Sequence, residues 1–179
     1  VPDIYQGNEL WDFSLVDPDN RRPVDYGLRR KLLAEMKGMD PGDARSLLED
    51  GAWQSGAPKM YLTWKVLELR NEKAELFERG EYAPLTVEGE MADHIVAFAR
   101  VLGEEAVVVL APRLFSKPAA DGGALIPDPH TWANTCVSLP EELSGKVFRD
   151  VFTGEDVGGD VVLESLFEGF PVALLDASV

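Results

Sequence analysis

The sequence predicts an α+β chain, helical in its first part and all-β in its second, and two changes of pattern carry that prediction. Apolar residues recur at three-to-four spacing from Leu28 to Phe77, the period of amphipathic helices. After Gly80 they fall instead into runs of four to eight residues, alternating or continuous and punctuated by glycine and proline, as short strands do. The 179 residues with 45% apolar content suffice for one ordinary domain, or a small one with an appendage.

Each element follows from local chemistry. Asp25 is placed to cap a first helix in which Leu28, Leu32, Leu33 and Met36 share a face, ending near Gly38. Asp40-Pro41 supplies a cap and a first-turn proline for a short helix through Leu47 and Leu48, and Gly51 stops it. A longer helix begins near Ala57-Pro58, carries Tyr61, Leu62, Trp64 and Leu69, and runs to Leu76 and Phe77 with Gly80 as its stop. Strands are expected at 82–87, 94–101, 106–112, 133–139, 146–150, 161–163 and 171–175, a number that suits a sandwich. Gly103-Glu104 and Gly158-Gly159 read as hairpin turns, and Arg113 to Trp132 as a long surface loop. The domain boundary falls at Gly80, giving segments 1–80 and 81–179.

Charge and composition exclude several classes of function. With 32 acidic against 17 basic residues the net charge is -15, which repels phosphate backbones and anionic lipid, so neither nucleic acid nor membrane is an expected partner. One cysteine, Cys136, and two histidines, His94 and His130, give no metal-ligand cluster, and no cofactor or metal is expected. No stretch of about 18 apolar residues suits a bilayer span and no leader is visible, so a cytoplasmic location is expected.

The richest segment is the first. Val1 to Tyr26 sets a short apolar run beside carboxylates, carboxamides, two arginines and several aromatics, a mixture suited to a ligand with many hydroxyls and apolar ring faces. It opens without a methionine on what reads as the middle of a strand, the tail of something longer. The string Pro2-Asp3-Ile4-Tyr5-Gln6-Gly7-Asn8-Glu9, with Asp17-Pro18-Asp19-Asn20-Arg21-Arg22-Pro23 after it, resembles the last barrel strand and following loop of the alpha-amylase superfamily. That family shows a proline, an aromatic-rich strand, Gly-x-Glu and then Asp-Asn-x-Arg. Within it, the stretch Leu10 to Asp25 is similar to the maltooligosyl trehalose synthases. Ala97-Phe98-Ala99-Arg100, Ala106 to Arg113 and Val147-Phe148-Arg149-Asp150 through Ala173-Leu174 resemble that family's C-terminal β domain.

The resemblance implies a C-terminal fragment: the helical end of a (β/α)8 barrel followed by an antiparallel β-sandwich. Its parent would convert the reducing-end alpha-1,4 linkage of a maltooligosaccharide to alpha,alpha-1,1 by intramolecular transglucosylation. The catalytic carboxylates of the superfamily lie on earlier strands, so no catalytic residue is assigned in this chain and the fragment alone is expected to be inactive. The expected partners are the maltooligosaccharide substrate and the remainder of the parent barrel. Deprived of that barrel, residues 1–20 are expected to lose partners and to be mobile, rearranged or paired with another chain.

The resemblance points to Tyr5, Gln6, Glu9, Asp19, Arg21 and Arg22 as substrate-binding residues, because barrel sites are built at the C-terminal ends of strands. Plainer readings stand beside these. Arg21 and Arg22 can pair with Asp17, Asp19 or Asp25 simply to hold a loop, and Tyr5 and Glu9 can serve barrel-end packing. Trp11 and Phe13 suit either sugar stacking or packing. Trp53, Tyr61 and Trp64 read as core. Glu9 with Asp12, or Asp17 with Asp19, is not read as a glycosidase pair, because closeness in sequence does not set the separation such a pair needs. Two other functions remain open: a different alpha-amylase superfamily hydrolase or transferase, and a noncatalytic carbohydrate-binding or structural β module.

Overall fold

The computed structural model describes residues 5–49, 51–116, 126–159 and 161–177, and divides the chain into two compact units, Val1–Glu68 and Leu69–Val179. The division falls inside a helix, whereas the change of sequence period lies at Gly80, where the first strand begins.

The first unit is helical. Asp25 caps α1, Tyr26–Lys37, by accepting from the Leu28 N–H at 2.9 Å, and Gly38 closes it by donating to the Glu35 and Met36 carbonyls. Asp40 caps a 3-10 helix, Pro41–Leu47, with proline in its first turn as the sequence requires. Another 3-10 helix, Ala52–Ser55, lies between two left-handed glycines, Gly51 and Gly56, and had no counterpart in the periodicity. Then α2, Ala57–Glu72, begins. Leu10, Met36, Ala44, Ala57, Pro58, Met60 and Tyr61 are buried in this unit, and Tyr61 meets Trp64 edge-on at 5.9 Å. Only Met36 of the predicted α1 face is buried; Leu28 is 44% exposed.

The second unit is mixed. The long helix expected to reach Phe77 is broken at Lys73, after which α3, Ala74–Arg79, ends on Gly80. The strands are β1 (Glu81–Pro84), β2 (Thr86–Glu88), β3 (Ile95–Leu102), β4 (Glu105–Pro112), β5 (Cys136–Ser138), β6 (Val147–Asp150), β7 (Asp156–Gly158), β8 (Val161–Val162) and β9 (Ala173–Asp176). All pairings are antiparallel. They form a six-stranded sheet in the order β1-β3-β4-β9-β6-β7 and a three-stranded sheet in the order β2-β5-β8.

Alternation orients the larger sheet. Ile95, Ala97 and Ala99 on β3 are buried with Ala106, Val108 and Leu110 on β4, Ala173 and Leu175 on β9, and Phe148 on β6. The same cluster takes Val137 and Val161 from the smaller sheet and Trp132, Leu163, Leu166 and Phe167 from the segments that cover it. Trp132 packs edge-on against Phe167 at 5.5 Å.

Three expectations need correction here. The single strand expected over 82–87 is two strands in different sheets, split at Leu85, whose N–H still donates to the Ala97 carbonyl at 3.1 Å. Gly158-Gly159 is not a hairpin turn, because β7 and β8 belong to different sheets; Gly159, at φ +74°, redirects the chain between them. The strand expected over 161–163 is formed by Val161–Val162 but stops one residue early, because Leu163 opens a helix that was not expected, α4, Leu163–Gly169, whose Leu163, Leu166 and Phe167 are buried at helical spacing. Gly103, at φ +60°, does turn the β3–β4 hairpin. The loop expected over 113–132 ends in a 3-10 helix, Pro129–Trp132, that buries its tryptophan; residues 117–125 lie outside the described residues.

Candidate functional site

The turn at residues 5–9 is shaped by Gly7. Its φ of +84° is a conformation that side chains disfavour, and a Cβ there would stand 2.5 Å from the Val24 Cγ2 atom. The turn therefore lies directly against the strand of chain that leads into α1. The Pro2 to Ile4 part of the sequence motif lies outside the described residues. Tyr5 is 50% exposed and Gln6 is exposed, while Gly7 is buried and Glu9 half-buried.

Glu9 does not face solvent freely. The Arg29 Nε donates to its Oε2 at 2.8 Å, and the Arg29 side chain is only 14% exposed. A second guanidinium nitrogen of Arg29, Nη2, donates to the Gly7 carbonyl, and Nη1 donates to the Asp25 carbonyl at 3.1 Å. Partial burial pushes the Glu9 carboxyl upward, yet the Arg29 hydrogen bond, the backbone amides of the turn and the Arg29 charge outweigh it and hold the group below its ordinary value. Glu9 is thus an ionised acceptor, not a proton donor, at neutral pH.

The loop that follows is a second polar group. Asp19 accepts from the Leu15 N–H at 2.9 Å and pairs with Arg22, and these contacts, the Leu15 bond foremost, lower its pKa. Asp12 accepts from the Ser14 hydroxyl at 2.5 Å and from the Ser14 N–H at 2.9 Å, which lowers its pKa in turn. Asp12 also feels the charges of Lys59 and Arg22. Arg21 pairs with Asp17, and both are well exposed. Glu9, Asp19, Arg21 and Arg22 accordingly all stand in ion pairs, so the loop-holding reading of the two arginines describes their present contacts.

Trp11 is fixed by its edge. Its indole N–H donates to the Trp53 carbonyl at 2.6 Å, and the Lys59 ammonium lies 5.8 Å from its ring centroid while donating to the Leu10 carbonyl at 3.1 Å. Gly56, at φ +79°, allows this approach, since a Cβ there would be 2.7 Å from the Trp11 nitrogen. Leu10 is buried, but Trp11 is 37% exposed, Phe13 88%, Leu15 76% and Val16 84%. The segment 7–11 therefore has partners within its own unit, whereas the apolar side chains of 13–16 stand in solvent.

Arg29 and Lys59 were not singled out by sequence reasoning, and Asp12 entered it only as one half of a carboxylate pair that was set aside. A signal for Arg29 existed: helical side chains lean toward the helix N-terminus, so an arginine in the first turn of α1 reaches back over the chain that precedes it. Lys59 gave no such signal. Among the described residues no group of three or more His, Cys, Asp or Glu is arranged to hold a metal ion, and no helix is long and apolar enough to cross a membrane. Chemically, the unit offers charged acceptors and donors, exposed carboxamide and phenol groups, and exposed ring faces, the repertoire for polyhydroxylated ligands.

No family model matches the chain. It is 36% identical over 175 residues, 98% of its length, to the putative maltooligosyl trehalose synthases of two strains of Mycobacterium tuberculosis, of which it covers 18%. The solved structure of maltooligosyltrehalose synthase from Arthrobacter ramosus superposes with a TM-score of 0.74 at 36% identity, over 97% of this chain and 20% of that one. A further maltooligosyl trehalose synthase crystal structure gives a TM-score of 0.62 at 30% identity, over 98% of this chain and 19% of that one. The chain is thus homologous, over nearly all its length, to a part of these enzymes, and spans about a fifth of their length.

Proposed function

We propose that the chain is the C-terminal part of a maltooligosyl trehalose synthase, an intramolecular glucosyltransferase that isomerises the reducing-end alpha-1,4 linkage of maltooligosaccharides to alpha,alpha-1,1. Residues 1–80 are then the end of the catalytic barrel with its substrate loop, and residues 81–179 a C-terminal β-sandwich domain. The observation that carries the reading is 36% identity over 98% of the chain, including the polar loop, to enzymes of that name. The parent is a cytoplasmic enzyme of trehalose synthesis.

Tyr5, Gln6, Glu9, Asp19, Arg21 and Arg22 are the substrate-binding residues of this part, and none of them performs the bond chemistry. That work falls to carboxylates on the preceding strands, so the isolated chain is inactive. What the loop contributes is retention: the cleaved glucose must stay bound, reorient and attack through its anomeric hydroxyl before water does. Charged hydrogen bonds on a fixed loop restrain a sugar better than neutral ones on a loose loop, because each is stronger and less entropy is lost on binding.

The test uses the full-length protein with maltopentaose, following reducing ends and released glucose together, alongside Asp19→Ala and Arg22→Ala. Loss of reducing ends with little glucose is expected, with activity falling in both variants. Rising reducing ends would mean hydrolysis and would defeat the assignment.

A further inference from the structure

We propose that Arg29 is a positioning residue for the sugar-binding turn, an inference that rests on the function proposed above. Its three nitrogens serve three residues at once: Nε the Glu9 carboxylate at 2.8 Å, Nη2 the Gly7 carbonyl and Nη1 the Asp25 carbonyl at 3.1 Å. Gly7 and Glu9 bracket the turn, and Asp25 is the cap of α1. The guanidinium therefore locks the turn onto the helix that follows the loop, across a separation of some twenty residues in sequence. Being planar, it can meet all three acceptors in one orientation, which a compact ammonium cannot.

The consequence concerns where the turn meets a sugar. Within the proposed set of binding residues Glu9 is the one that Arg29 holds, and the exposed Gln6 and Tyr5 stand on the same turn, so Arg29 fixes where all three meet the ligand. Displacing such groups by an ångström costs up to about a hundredfold in rate for reactions that depend on orientation. In an isomerase that must hold and turn a cleaved glucose, a loosened turn releases glucose to water. Arg29 acts on the sugar through the turn and not by touching a reacting atom.

Arg29→Lys and Glu9→Gln in the full-length protein test this, with Arg30→Lys on the exposed neighbouring position as control. Steady-state kinetics on maltopentaose, the ratio of released glucose to isomerised product, and the melting temperature are read for each. The expected result is a KM raised on the order of tenfold and a larger glucose share in both variants, with the double variant no worse than Arg29→Lys alone, since that substitution already removes the fork's hold on Glu9. Should Arg29→Lys fail to fold, Glu9→Gln alone carries the same readouts. Wild-type KM, kcat and product ratio together with a lowered melting temperature would make Arg29 a structural residue only and overturn the proposal. A wild-type protein that hydrolyses without isomerising defeats the reading beneath it, and the proposal falls with that reading.

Discussion

Replacing Asp150 by asparagine should abolish a pH dependence of stability that the wild-type chain carries. Asp150 is 1% exposed at the end of β6, where its Oδ1 accepts from the Phe152 N–H at 3.0 Å and its other oxygen meets the Thr153 hydroxyl at 3.2 Å. Burial pushes its carboxyl up from 3.8 to about 6, and the hydrogen bonds from Phe152, Thr153 and the backbone offset only part of that rise. Between those values the folded chain keeps a proton that the unfolded chain has released. Stability from this group is therefore fully present below 3.8 and is lost as pH rises to about 6. The displacement corresponds to about 3 kcal/mol, at roughly 1.4 kcal/mol per pH unit.

Asparagine keeps the acceptor for the Phe152 N–H and offers an amide to the Thr153 hydroxyl, but never ionises. The assay is denaturant unfolding of both proteins, followed by circular dichroism, at steps between about pH 4 and about pH 7. Taking the difference at each pH cancels the titration of every other group. Asp150→Asn should gain on the wild type by about 3 kcal/mol across the window. Parallel pH profiles would refute the argument, since they would mean that the buried carboxyl is as easily ionised folded as unfolded.

Two other outcomes follow from the second unit. Arg100 donates from Nη2 to the Phe77 carbonyl at 2.9 Å and the Gly80 carbonyl at 2.7 Å, closing the C-terminus of α3. Arg100→Met should cost about 1–3 kcal/mol in unfolding experiments by leaving those carbonyls unpaired, softened because the buried Nε has no partner to lose. His130 is raised above its ordinary pKa by its hydrogen bond to Glu164 and then by the charge of that residue. In Glu164→Gln its titration, followed by imidazole NMR, should move down, and an unchanged midpoint would show that the pair does not form in solution.

Legibility varied with how local each cause was. The boundaries of α1 and the start of the Pro41–Leu47 3-10 helix follow from Asp25, Gly38, Asp40 and Pro41, whose capping and turn chemistry is complete within a few residues. The β3–β4 hairpin was visible because two apolar runs of strand length flank a glycine. The helix from Leu163 to Gly169 was not read, because a short apolar run after a strand serves a strand or a helix equally, and its packing of Phe167 on Trp132 is a tertiary contact. The break of α2 at Lys73 was invisible for a similar reason: the lysine pairs with Asp176 at 3.1 Å, a residue more than a hundred positions away.

The candidate site divides in the same way. Sequence alone, through its motif strings, marked the polar turn and loop that hold Tyr5, Gln6, Glu9, Asp19, Arg21 and Arg22, because the residue types and their spacing are local properties of the chain. Tertiary structure alone decided which of them are engaged and by what. Arg29 reaches Glu9 and Gly7, Trp53 anchors Trp11, and Lys59 spans Leu10 and Trp11, all through contacts between residues 20 to 49 positions apart. Propensity and capping act over a few residues and can be read in order along the chain, whereas a side chain's partner depends on where folding brings distant segments together.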